Sequence, residues 1–167
     1  MLNFNSIWDV TPETAHPRAT QLLDRSVVWD YGDEDSPLGN DIGADTFAAY
    51  LSFRMAHSAE RVEDFIYNEF SSRGFSETDW DVIGADRLHE LLRGEYGFRI
   101  LRRDDFIIAL AFAQLLLDGA LNPRVRRLAI TALSRQETDV VLLLRGGGGE
   151  EARRKQLAEF RRILEQL

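Results

Sequence analysis

Asp104-Asp-Phe-Ile-Ile-Ala-Leu-Ala-Phe-Ala-Gln-Leu-Leu-Leu117 is the stretch that decides the fold. From Phe106 to Leu117 only Gln114 is polar. A helix that is apolar on nearly every side has no face to give to water, so other elements must pack all around it. Twelve such residues are too few to cross a bilayer, which needs about 20. The stretch therefore reads as the central helix of a bundle, over about residues 104–117. Asp104 and Asp105 suit the positive end of its dipole, and Asp118-Gly119 suits its end.

Working outward, the periodicity predicts further helices. Phe47, Tyr50, Leu51, Phe53 and Met55 give a broad apolar face after Asp41, with Asp41 or Asp45 available to cap the first turn. Val62, Phe65, Ile66 and Phe70 follow Ser58 at helical spacing, and Gly74 fits a left-handed terminator. Ser76-Glu-Thr-Asp79 has the form of a capping box opening a third helix through Trp80, Ile83, Leu88, Leu91 and Leu92. Asn122-Pro123 opens another helix, to about Arg135. Pro12 and Pro17 confine any earlier helix to a short run from Pro17 to Leu23.

Three segments read differently. Ser26-Val-Val-Trp-Asp-Tyr31 is rich in β-branched and aromatic residues and is the best candidate for a short strand near 26–31. Tyr96 to Leu101 reads as a connector with some extended structure. Asp139 to Leu144 is strand by propensity and helix by context, in equal measure. The expected class is mainly α: one helical domain over 1–145, a glycine linker at 146–149, and an amphipathic helix over 150–167, docked or used as an arm. Leu157, Phe160, Ile163, Leu164 and Leu167 form the apolar face of that last helix.

Composition bounds the chemistry. With 167 residues and 44% hydrophobic content, the chain has a core to bury and is not disordered. It has no cysteine, hence no disulfide, thiol nucleophile or thiolate metal site, which agrees with a cytoplasmic location. The N-terminus has neither the basic start nor the apolar run of a secretory signal. His16, His57 and His89 share no metal spacing, and no G-x-S-x-G elbow is present. Gly146 to Gly149 lack the Lys-Ser or Lys-Thr of a phosphate loop and read as a linker. Trp8, Trp29 and Trp80 are most simply core or interface anchors.

The net charge of −8 is unevenly laid out. Residues 1–86 carry 17 acids and 5 bases, and residues 87–167 carry 11 acids and 15 bases. Between Arg25 and Arg54 there is no base, but there are Asp30, Asp33, Glu34, Asp35, Asp41 and Asp45. A field of that sign repels nucleic acid and anionic membranes and attracts cationic partners. Two basic groups, Arg99, Arg102, Arg103 and Arg124, Arg126, Arg127, are expected to pair with acids of the same chain.

The most distinctive stretch is Ser36-Pro-Leu-Gly-Asn-Asp-Ile-Gly-Ala-Asp45, preceded by Trp29-Asp30 and followed by Thr46-Phe-Ala-Ala-Tyr50. It resembles the S-P-F-G-N-D-x-G-A-D-x-L hallmark of the YfeS-like family of uncharacterised bacterial proteins, with Leu38 in place of Phe. Asp105 to Gln114 and Leu128 to Gln136 resemble that family's second half, so the likeness spans about residues 26–136. It implies a small bacterial cytoplasmic domain and brings no activity or ligand with it.

Physically, Pro37, Gly39 and Gly43 suit a tight loop, and Asn40 and Asp41 suit Asx-turns and a helix cap. Asp41 and Asp45 are four apart and can share one side of the first helical turn. The structural role of the motif is the simpler reading. Gathered with Asp30 and Asp33, the same carboxylates make an alternative site for Mg²⁺ or Ca²⁺, in a metal-dependent hydrolase.

The function expected first is a non-catalytic acidic protein that binds a cationic protein. Its concrete form is a bacterial immunity or inhibitor protein neutralising a toxin such as a nuclease. Trp29, Asp30, Tyr31, Asp33, Glu34 and Asp35 are the expected contact loop. A further alternative is a module of a regulatory assembly recruited through the terminal helix.

Overall fold

The computed structural model describes residues 4–24, 26–146 and 149–167. Among them are eight α-helices and no strand. They are α1 (Pro17–Leu22), α2 (Asp41–Ala56), α3 (Val62–Arg73), α4 (Ala85–Arg93), α5 (Gly97–Asp118), α6 (Pro123–Gln136), α7 (Asp139–Arg145) and α8 (Glu150–Glu165). Single turns of 3₁₀ helix lie at Ile7–Asp9, Val27–Trp29 and Ala59–Arg61.

Helix α5 is the central helix, with every residue from Phe106 to Leu117 buried. Helices α2 and α6 run along it, and α8 packs on α6. Phe65 and Phe70 of α3 bring their rings to 6.1 and 5.8 Å from Phe106. Phe160 of α8 meets Phe112 edge-on at 5.4 Å. At the C-terminal end, Gly119 takes a left-handed turn (φ 63°), and a side chain there would run into the His16 ring. His16 caps α1 through its ring nitrogen and donates its backbone N–H to the Leu116 carbonyl at 2.9 Å.

Gln114, the polar interruption, has a structural explanation. Its amide nitrogen donates to the Tyr50 hydroxyl at 3.3 Å, and that hydroxyl donates to Asp118 at 2.9 Å. Arg54 grips the same carboxylate with two nitrogens, at 3.0 and 2.7 Å. The bidentate pair ties α2 to the end of α5 and satisfies groups that are mostly shielded from water.

Helix α5 begins at Gly97, so Asp104 and Asp105 lie in its middle and do not form its first turn. Of the expected extended connector at Tyr96–Leu101, Tyr96 is the N-cap of α5 and Gly97–Leu101 are helical. A charge belongs inside a buried helix only if a partner meets it there. Arg135 of α6 does so, with a nitrogen 2.5 Å from Asp104 and both side chains fully buried. Arg135 also donates to the carbonyls of Val82 and Trp80, and the Arg103 and Arg135 guanidiniums lie over the Trp80 ring at 4.3 and 5.6 Å.

That same demand for carbonyls undoes the helix expected from Ser76. The Ser76 hydroxyl accepts from the Thr78 N–H at 3.0 Å, a local turn and not a capping box. Asp79 stands at φ 59°, and α4 begins only at Ala85. The carbonyls of this turn serve Arg103, at 2.5 Å from Ser76 and 3.1 Å from Thr78. Gly97 permits the tight α4–α5 corner, where a Cβ would collide with the Leu92 carbonyl.

The strand expected near 26–31 is a 3₁₀ turn capped by Ser26, whose hydroxyl accepts from Val28 at 3.3 Å. With no second strand to pair with, β-propensity there has nothing to act on. Residues 139–145 are helical, capped by Thr138. The terminal helix is docked: Leu157, Phe160, Ile163 and Leu164 are buried. Of the expected glycine linker, Gly147 and Gly148 lie outside the described residues.

Burial pushes the Asp104 carboxyl up to about 6, against the pull of Arg135 and Arg103. The folded chain therefore holds this proton more tightly than the unfolded one, and the stabilisation is full below about pH 4 and lost as pH rises through 6. Asp104→Asn removes that dependence. The wild-type stability relative to the variant should fall between pH 4 and 6 by on the order of 2–3 kcal/mol in urea titrations. A flat difference across that range contradicts the assignment.

Candidate functional site

The acidic segment is bolted down by its aromatics. The indole N–H of Trp29 donates to the Leu23 carbonyl at 2.8 Å. The Tyr31 hydroxyl donates to the Val10 carbonyl at 2.7 Å, and its ring meets Trp8 edge-on at 5.9 Å. Burial pushes that hydroxyl well above the ordinary tyrosine range, so it stays a donor. Both side chains are half-buried and turn their polar ends inward. They hold the loop, and the carboxylates are what it presents.

Between them the chain folds into consecutive Asx-turns. Asp30 accepts from the Gly32 N–H at 3.1 Å, and Asp33 accepts from Asp35 at 2.9 Å. Ser36, Pro37 and Leu38 are buried beneath this turn. A Cβ on Gly39 would strike the Asp33 carbonyl, and one on Gly43 would strike the Pro37 carbonyl and come within 2.8 Å of the Leu38 Cα. The two glycines thus let the loop lie directly on itself and on the first turn of α2.

Asn40 is the cap of α2. Its side-chain oxygen accepts from Gly43 at 2.8 Å, and its amide donates to Ser36 at 3.3 Å. The capping role expected of Asp41 or Asp45 falls to Asn40, one residue outside the helix, where the backbone is extended and the side chain can reach back. Asp41 and Asp45 are exposed.

The structure separates the acids by what they do. Asp35 lies 3.5 Å from Arg153 of α8, which also donates to the Asp35 carbonyl at 2.5 Å. Among the described residues, Asp30, Asp33, Glu34, Asp41 and Asp45 have no basic partner. Several other bases of the second half are engaged elsewhere. Arg145 pairs with Asp105 at 2.7 Å, Arg154 with Asp139 at 2.5 Å and Arg161 with Glu137 at 2.8 Å, while Arg124 reaches both Glu63 and Glu77.

The two arginine groups divide. Arg124 pairs as expected, whereas Arg126 donates to the carbonyls of Leu164 and Glu165 at the end of α8. Arg99 and Arg102 have no acidic partner among the described residues and lie over Tyr96 and Phe98 at 5.2 and 5.4 Å. Stacking on a neighbouring ring has replaced the expected ion pairs.

A cleft of about 650 Å³ separates the motif loop from α5, α7 and α8. Glu34, Asp35, Asn40 and Asp41 line one wall, and Arg102, Arg145 and Arg153 the other. Arg153 is the residue that sequence reasoning missed. It lies 118 positions from Asp35, on the polar side of a helix whose apolar face carried the signal. Burial lowers its affinity for a proton and Asp35 restores part of it.

Among the described residues, no three His, Cys, Asp or Glu side chains gather in a metal-holding arrangement. Asp30 and Asp33 spend oxygens on their own turns. No helix of the described residues is long and apolar enough to cross a membrane. No family model, no curated protein and no solved structure matches the chain.

Gly43→Ala should destabilise the fold by about 1–3 kcal/mol, because backbone has to move. Asn40→Ala should cost about 1 kcal/mol as a lost cap, and Asp45→Ala should stay within about 0.5 kcal/mol. Urea unfolding of the three variants orders them. A Gly43→Ala protein as stable as Asp45→Ala would contradict the close approach of loop and helix.

Proposed function

We propose that this chain is a non-catalytic binding protein that offers the face of residues 30–45 to a cationic protein. The observation that carries the reading is the group of carboxylates Asp30, Asp33, Glu34, Asp41 and Asp45, which have no basic partner among the described residues while the second half's arginines are largely engaged. Asp30, Glu34, Asp41 and Asp45 are exposed. Acids that stabilise a fold are usually paired or buried with donors. Asp30, Asp33 and Glu34 sit on a loop held by Trp29, Tyr31 and Arg153, and Asp41 and Asp45 on the first turns of α2, so little conformational entropy is lost when a partner docks. A concentrated negative field speeds encounter with a positive partner and helps exclude wrong ones.

The concrete form proposed is an immunity or inhibitor protein for a cationic toxin or effector. The likeness to the YfeS-like family supports a bacterial setting, and the cysteine-free composition supports the cytoplasm. The apolar face of the terminal helix is spent on the core, which leaves its polar face toward solvent.

The test replaces Glu34, Asp41 and Asp45 by Gln, Asn and Asn, side chains that make none of the loop's turn bonds. In pull-downs from the native cell at low and moderate salt, wild type should retain a basic protein that the triple variant loses. Association of the purified pair should slow as salt rises. Equal capture by wild type and variant would remove this face from consideration.

A further inference from the structure

Where the end of α3 meets the start of α5, a depression of about 300 Å³ is lined by Arg73, Phe75, Phe98, Arg99 and Arg102. Its volume reaches the lower end of the range of small-molecule sites. Three guanidiniums and two phenyl rings make up this lining, and no carboxylate is part of it.

The arginines are placed without being spent. Arg99 lies over Tyr96 and Arg102 over Phe98, at 5.2 and 5.4 Å. Contact with a ring engages the cation through the π-face and uses none of its N–H donors. Among the described residues, neither guanidinium donates a hydrogen bond or meets an acid, and both side chains are exposed. Arg73 commits its Nε to Glu69 at 2.7 Å and lies over Phe106 at 5.3 Å. Arg99 and Arg102, three apart on α5, share a side of the helix, so their donors can serve one anion.

The charges and rings select the kind of anion. Glu69 offsets Arg73, which leaves the two positive charges of Arg99 and Arg102. A phosphomonoester above its second pKa of about 6 brings close to two negative charges and three acceptor oxygens. Phe98 is 68% exposed, an uncovered ring beside the cations that suits a planar apolar body. A long polyanion is disfavoured, because Glu34 and Asp41 stand across the wider cleft that Arg102 also lines. We propose that this depression binds a small aromatic phosphomonoester, its phosphate on Arg99 and Arg102 and its ring against Phe98.

The probes are phenyl phosphate, the equally shaped monoanion phenyl sulfate, inorganic phosphate and a single-stranded octauridylate, titrated into the full chain by calorimetry and two-dimensional NMR. Phenyl phosphate should bind and shift the resonances of residues 73–75 and 97–102. Phenyl sulfate, with one charge fewer, and inorganic phosphate, with no ring, should each bind about fivefold more weakly or worse. Phe98→Ala should bring phenyl phosphate down to the level of inorganic phosphate. Arg99→Gln with Arg102→Gln should abolish binding of both, and these exposed side chains should leave melting unchanged. Arg127→Gln with Arg162→Gln, two exposed arginines elsewhere, removes the same charge and should leave binding within about twofold. Equal affinity for sulfate and phosphate, shifts elsewhere, an equal loss from the control pair, tighter binding of octauridylate, or no binding at millimolar probe would each overturn the proposal.

Discussion

Arg135 and Asp104 meet in the interior with neither side chain reaching solvent. Taking both charges out of water costs several kcal/mol each, a cost that attraction offsets only when the remaining donors are also bonded. Arg135 meets that condition by taking the carbonyls of Trp80 and Val82. The consequence spreads along the chain. A segment whose carbonyls are pulled inward cannot spend them on a helix, so residues 76–84 form turns and α4 starts late. Arg103, one residue before Asp104, draws on the same turn and lies over the same tryptophan. The path from α3 to α5 is thus set by what two buried arginines need, and apolar packing fills in around them.

Much of the architecture was legible in the sequence because it rests on periodicity. The apolar run at 106–117, the faces of α2, α3 and α8, and the Asn-Pro start of α6 all follow from local pattern. What was not legible depends on partners far away in the chain. Nothing near Asp104 indicates that Arg135 will neutralise it, so two adjacent acids read as a helix start. Val-Val-Trp reads as strand, yet a lone segment with no neighbour to pair with folds as a capped turn. Ser76 to Asp79 fits a capping box letter by letter and fails because its carbonyls are needed elsewhere.

The acidic face divides along the same line. Its glycines, proline and asparagine show a tight, capped loop from sequence alone, and the structure adds why: backbone lies against backbone at Gly39 and Gly43. Which acids are free could not be read, since that depends on Arg153 and on the pairing of the second half. The charge asymmetry noted along the chain survives folding in space. Arginines of the basic half meet acids mostly of their own half, and of the carboxylates of 30–45 only Asp35 has a basic partner among the described residues.

Trp29, Tyr31, Asn40 and Arg153 preform the acidic face. Backbone ¹⁵N relaxation on the free protein tests it most directly. Residues 30–41 should give order parameters near those of the helices, about 0.85, because Trp29, Tyr31, Asn40 and Arg153 restrain the loop from four directions. Values below about 0.6 across the loop would mean an acidic segment that orders only on binding, and would contradict the account.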